Sequence, residues 1–181
     1  YSVRGVGSNA ISATADPGMG VHINGVYITA SSTRNEFYDL ESIEVLRGPQ
    51  GTLFGRNTTA GVMNSVTAKP TDIFEGALTT EVGNYKGLKT QGYLNIPLSD
   101  SVHQRIAFNT IKRDGYSENV SDGAGFSSLD GRDQWSLRSS TSFDFSDQAS
   151  GFLFAQYSKE DSDRSRAVGV LCTADAVLGC N

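Results

Sequence analysis

The chain has 181 residues, with 15 Lys plus Arg against 20 Asp plus Glu, and this net charge of −5 argues against a nucleic-acid footprint. Hydrophobic residues are 38% and charged residues 19%, but nine Phe, seven Tyr and one Trp need burial and no long polar run dominates, so wholesale disorder is disfavoured. No stretch approaches the ~20 apolar residues of a spanning helix, and the opening YSVRGVGSNA has neither region of a signal peptide, although a leader removed before Tyr1 would leave the same opening.

Twenty Gly with only four Pro point to tight turns and bulges, a β composition. Up to Pro70 the chain carries five basic and five acidic residues; the ten basic and fifteen acidic residues after it hold the whole imbalance. The first part is irregular, with short apolar strands expected at Val21–Ile28 and Ile43–Leu46 between Gly-rich segments. Thr33-Arg-Asn-Glu36 has the form of a capping box, which predicts a short turn of helix with Phe37 and Leu40 on one face.

After Pro70 the pattern changes to long alternating segments, which predict strands at 74–83, 88–98, 102–112, 133–146 and 149–159. In the second, Leu88, Thr90, Gly92, Leu94, Ile96 and Leu98 oppose Lys89, Gln91, Tyr93 and Asn95; in the fourth, Trp135, Leu137, Thr141, Phe143 and Phe145 oppose Gln134, Ser136, Arg138, Ser140, Ser142 and Asp144. The fifth has no assignable faces, because Phe152 and Phe154 oppose Leu153, Ala155 and Tyr157. Strands of ten residues or more exceed the usual ~5–6 of soluble sheets and suit a tilted membrane strand. Tight links at 99–101 and 146–148 alternate with long ones at 113–132 and 160–181, as in outer-membrane barrels, while the short link Asn84-Tyr85-Lys86-Gly87 breaks the alternation. Periodicity alone leaves a membrane barrel and a soluble all-β domain both open.

The run Ile43-Glu-Val-Leu-Arg-Gly-Pro-Gln-Gly-Thr-Leu-Phe-Gly-Arg-Asn-Thr58, followed by Gly61, Asn64 and Val66-Thr-Ala-Lys-Pro70, resembles the plug domain of TonB-dependent outer-membrane receptors. Tyr1-Ser-Val-Arg-Gly-Val6 and Val21-His-Ile-Asn-Gly-Val-Tyr27 match that family's order as well. Ala60-Gly-Val-Met-Asn-Ser65 departs from it, since a paired glycine and Ile or Val after Asn are more usual there. The resemblance implies an all-β chain with a small mixed α/β plug: the C-terminal part of the plug at 1–70, and at 71–181 the first strands of a transmembrane β-barrel with extracellular loops. Five strands in the 111 residues after Pro70 cannot close a plugged barrel of ~22 strands, so the barrel is expected to be incomplete in this chain.

What the resemblance implies for function is active uptake, across the bacterial outer membrane, of a scarce nutrient such as a ferric siderophore. The family's substrates also include haem, cobalamin and carbohydrates, and the sequence does not choose among them. Energy would come through TonB, reached by a segment upstream of Tyr1, and outer-membrane lipid would be a further partner. The alternative is a soluble all-β ligand-binding module without transport. No enzyme activity and no cofactor are implied: Ser/His/Asp sets, paired catalytic carboxylates and dinucleotide fingerprints are missing, and the Gly-rich run lacks the Gly-Lys-Ser/Thr ending of a phosphate loop.

By the same resemblance, Arg4 and Arg47 would lock plug to barrel by pairing with wall carboxylates beyond Asn181. The apex segments 7–15 and 27–38 would offer Tyr27, Arg34 and Tyr38 to a bulky anionic ligand. His22 and His103 are isolated, with no second ligand at metal spacing, so no metal site is expected, and two glycosylation sequons are accidental in a bacterial chain. Cys172 and Cys180 can close one local loop; zinc is the other reading, but no further Cys or His lies nearby and an external loop is oxidising, which favours a disulfide.

Overall fold

A computed structural model describes residues 2–3, 6–7, 18–28, 37–118, 128–146 and 148–162. Two short hairpins stand apart from the main sheets: β1 (Ser2–Val3) with β2 (Val6–Gly7), and β10 (Ser117–Glu118) with β11 (Ser128–Leu129). The main sheets are a small mixed one and a large antiparallel one.

The small sheet has the order β4-β3-β6-β5, built from β3 (Met19–Ile23), β4 (Val26–Ile28), β5 (Leu40–Arg47) and β6 (Gly61–Thr67). The expected single strand Val21–Ile28 is two, broken at Asn24 (φ 50°) and Gly25 (φ 79°). Two successive positive φ angles make the tight turn that an Asn-Gly pair favours. The turn is held from β6: the Thr67 amide donates to Asn24 Oδ1 at 2.9 Å and the Gly25 amide to Asn64 Oδ1 at 2.9 Å. β3 runs parallel to β6, and β5 is antiparallel to it. One turn of helix, α1 (Gly51–Phe54), follows the Arg-Gly-Pro run. Residues 33–36 of the expected capping box lie outside the described residues, and the helix does not extend to 40, because Leu40 opens β5. Gly61 (φ 151°) is required where β6 meets β5, since a Cβ there would strike the Leu46 carbonyl oxygen.

The large sheet is an antiparallel meander, β7-β8-β9-β12-β13. Its strands are β7 (Glu75–Gly83), β8 (Gly87–Ser99), β9 (Val102–Arg113), β12 (Arg132–Ser146) and β13 (Ala149–Glu160). Each lies within two residues of its sequence expectation. Neighbouring strands are in register over nearly their whole length, so one side-chain parity faces the same way in every strand.

Burial on this sheet is the reverse of a soluble core. The apolar face is exposed, with Leu78 at 69% and Phe145 at 72%, and Leu94, Leu98, Trp135 and Leu137 share it. The polar face is buried: Asn95, His103, Arg105, Asn109, Gln134, Ser136, Arg138 and Ser140 are covered there. In water this arrangement would forfeit the hydrophobic stabilisation of every outward side chain. Facing lipid, it is the alternation of a barrel wall. Register also settles β13, where Ser140 pairs with Phe154 and Arg138 with Gln156, which turns Phe152 and Phe154 inward and Leu153 and Tyr157 outward. Among the described residues no helix is long and apolar enough to cross a membrane, which says nothing of strands.

Candidate functional site: the contact between the small sheet and the wall

The polar face of the wall carries two arginines among amides and hydroxyls, and both reach the small sheet at one residue. Asp39 sits just before β5 with φ 48°, a left-handed conformation that Asp tolerates better than most residues. Arg105 on β9 donates from Nε to Asp39 Oδ2 at 3.0 Å and from Nη2 to Oδ1 at 2.5 Å, a two-pronged pairing. Arg138 on β12 donates from Nη2 to Asp39 Oδ2 at 2.9 Å, and to the carbonyls of Tyr38 at 3.0 Å and Asp39 at 2.7 Å. Arg105 Nη1 also lies 3.4 Å from Glu75 Oε1 at the start of β7. Two cations therefore face two carboxylates.

The cluster is dry. Side-chain exposure is 6% for Asp39, 7% for Arg105 and 3% for Arg138, and aromatic rings cover both guanidiniums. The Arg105 Cζ is 3.7 Å from the Tyr93 ring centre and the Arg138 Cζ is 4.6 Å from that of Tyr38. A planar, delocalised cation suits this stacking while its edge hydrogen-bonds. Burial pushes the Tyr38 hydroxyl above its ordinary pKa; the Arg138 charge opposes that shift and Asp39 adds to it.

Further bonds extend the contact along the chain. The Ala68 amide donates to the Asp39 carbonyl at 3.1 Å, tying the segment after β6 to the same point. Asn95, fully buried on β8, accepts from the Thr71 amide at 3.0 Å and donates to the Thr71 carbonyl at 2.9 Å and the Ile73 carbonyl at 2.5 Å. The segment that leads from the small sheet into β7 is thus fastened to the wall.

The residues singled out from the sequence fall in different places. Arg47 ends β5 with its side chain exposed. Tyr27, on β4, is half-buried: its ring meets His22 edge-on at 5.6 Å and its hydroxyl accepts from Asn57 Nδ2 at 3.2 Å. Tyr38 is buried in the arginine contact just described. Arg4, Arg34, Cys172 and Cys180 lie outside the described residues. His22 is buried between the rings of Tyr27 and Phe54; burial lowers its pKa, against a smaller opposing pull from the Phe54 backbone. His103 lies on the wall's polar face, and no group of potential metal ligands occurs among the described residues.

Sequence reasoning missed Asp39, Arg105 and Arg138 as a set. The available signal was Arg138 standing mid-strand between Gln134, Ser136, Ser140 and Ser142 on its face: if that face is covered, the charge requires a partner.

Comparison with known proteins agrees with this arrangement. Residues 1–62 match the TonB-dependent Receptor Plug Domain. The chain is 31% identical over 101 residues to the pesticin receptor of Yersinia pestis, an alignment covering 56% of this chain and 15% of that protein. It is 32% identical over 96 residues to the iron-regulated outer membrane virulence protein of Vibrio cholerae, covering 50% of this chain and 14% of the other. Among solved structures, the ferric yersiniabactin uptake receptor FyuA from Yersinia pestis superposes with a TM-score of 0.72 at 24% identity, over 79% of this chain and 23% of that one. The pyoverdine outer membrane receptor FpvA from Pseudomonas aeruginosa gives a TM-score of 0.65 at 17% identity, over 78% and 20%. The chain therefore spans only about a seventh of the length of the curated relatives it matches. With its small sheet docked on the polar face of outward-greasy antiparallel strands, this chain carries a TonB-dependent receptor plug domain followed by strands that have the fold of the opening of a receptor barrel.

Proposed function

We propose that the whole protein takes up a scarce ligand, a ferric siderophore or similar chelate, across the outer membrane with energy supplied through TonB. Residues 1–70 would be the C-terminal part of the plug and 71–181 the first wall strands with their outer loops. The work is binding and gated passage, not catalysis. The observation that carries this reading is the plug sheet held against the polar inner face by the Asp39 cluster while the opposite face is greasy. A soluble binding module would gain nothing from such a wall, whereas a transporter needs a plug that fills a lumen. Family relatives named for pesticin, yersiniabactin and pyoverdine support a chelate or a protein ligand at the outer surface of the intact receptor.

Within this reading Arg4 and Arg47 pair with carboxylates on wall strands beyond Asn181, a lock additional to the Asp39 cluster. The exposed position of Arg47 leaves it open to such partners. Tyr27 and Arg34 remain the ligand-facing proposals; the burial of Tyr38 gives that residue a structural duty at the wall. Cys172 and Cys180 form a disulfide in an outer loop.

The test is uptake of radioactive iron from a panel of ferric chelates by iron-starved cells expressing the full-length receptor, with and without TonB. Uptake of at least one chelate that disappears without TonB is expected. A protein that fractionates with the aqueous extract and supports no uptake would establish the soluble module instead.

A further inference from the structure

The plug sheet meets the wall in two unlike ways at its two edges. At the β5 edge the contact is ionic and directional, made of the Asp39 carboxylate, two plug carbonyls and two buried arginines, and it continues through Ala68 and the bonds from Asn95. At the β4 edge a cleft of about 750 Å³ separates Val26 and Ile28 from Phe152 and Phe154 on β13. Here, among the described residues, the Asn24 amide donates to Thr67 and the Asn57 amide to Tyr27, both within the plug. Apolar surfaces facing one another across a gap attract without direction and can part or slide. Charged groups that are dry and paired resist parting, because separation strands each charge.

We infer that Asp39 is a positioning residue that keeps the β5–β6 half of the plug docked on the wall during transport, and that the passage opens at the β4 edge, along the cleft between β4 and β13. The inference rests on the transport reading. Chain order favours it: a pull from the N-terminal side reaches β3 and β4 before β5, and the chain from Asp39 to Ile73 is fastened to the wall at its start and at its end.

Two cysteine pairs test it in the full-length receptor, in a background with Cys172 and Cys180 changed to Ser. Leu40→Cys with Ala77→Cys brackets the anchored edge, where both residues line one cavity of about 410 Å³. Val26→Cys with Phe154→Cys brackets the cleft. Each pair is bridged by a short, reducible bifunctional methanethiosulfonate, and ferric-chelate uptake is measured before and after reduction. The expected result is uptake unaffected by the anchor bridge, abolished by the cleft bridge and restored by reductant. Loss of uptake with the anchor bridge, restored by reductant, overturns the inference, as does full uptake with the cleft bridge in place. If the unbridged receptor transports nothing, the transport reading fails, and the anchor is judged on the same protein by hydrogen exchange. Asp39→Asn must then loosen amides 40–47 more than amides 19–28; equal loosening overturns the anchor.

Discussion

Asp39→Asn removes one negative charge from the plug–wall contact and changes little else. Asn keeps nearly the same shape and tolerates the φ of 48° at this position, so backbone strain does not confound the result as it would with Ala. The three side chains involved are 3% to 7% exposed, so solvent screening of the pair is weak. Breaking a buried pair in this way costs about 3–5 kcal/mol. Arg138 keeps the carbonyls of Tyr38 and Asp39, and Arg105 keeps Glu75 at 3.4 Å, which places the expected loss near the lower end, about 3 kcal/mol. Since ~1.4 kcal/mol is tenfold in an equilibrium constant, amides of β5 should exchange about a hundredfold faster in the full-length receptor. Lys112→Ala is the control: its pair with Asp133 spans 3.4 Å between side chains 74% and 57% exposed, and removing such a surface pair changes little. Wild-type protection of β5 in Asp39→Asn would refute the reasoning.

Three other outcomes are expected. Arg4→Ala and Arg47→Ala should loosen residues 1–70 in hydrogen exchange more than Arg34→Ala does; equal protection in all three counts against the locking role. Burial holds His22 below its ordinary pKa of 6.5, so the folded plug resists a proton that the unfolded chain accepts. The stabilisation from neutral His22 is full above about pH 6.5 and is lost as pH falls below it. Plug protection should therefore drop between pH 7.5 and 5.5, and His22→Gln should flatten that dependence; an unchanged slope in the variant removes His22 as its source. Mass spectrometry of non-reduced peptides should find Cys172 joined to Cys180, and free thiols at both positions, or bound zinc, would contradict the disulfide.

The wall was legible in the sequence because its strands obey one rule over many residues. Leu88, Leu94 and Leu98 on one parity and Gln91, Tyr93 and Asn95 on the other fix strand, face and register together. The rule falters at β13, where Phe152 and Phe154 point inward toward the apolar edge of the plug; a greasy residue facing a greasy neighbour reads the same as one facing lipid. The plug was harder because its strands are short and its turns carry the information. Val21–Ile28 looked continuous, yet Asn24 and Gly25 reverse the chain there, held by Thr67 and Asn64 more than 35 residues away. Asp39 was invisible for a related reason. Nothing around it in sequence marks a buried carboxylate, and its partners, Arg105 and Arg138, lie 66 and 99 residues along the chain.

Adjacent positions on one wall strand test the central claim most directly, namely that the greasy face meets lipid and the polar face meets the plug. Ser136 is buried and Leu137 is 46% exposed, and by strand alternation they point to opposite sides. Nitroxide labels placed singly at Ser136→Cys and Leu137→Cys in the full-length receptor, reconstituted in bilayers, report collisions with oxygen from the lipid and with a water-soluble nickel chelate. The account predicts strong oxygen broadening and weak nickel broadening at 137, and a label at 136 that is immobilised and shielded from oxygen. Nickel access at 137 equal to that of a fully aqueous site would contradict it.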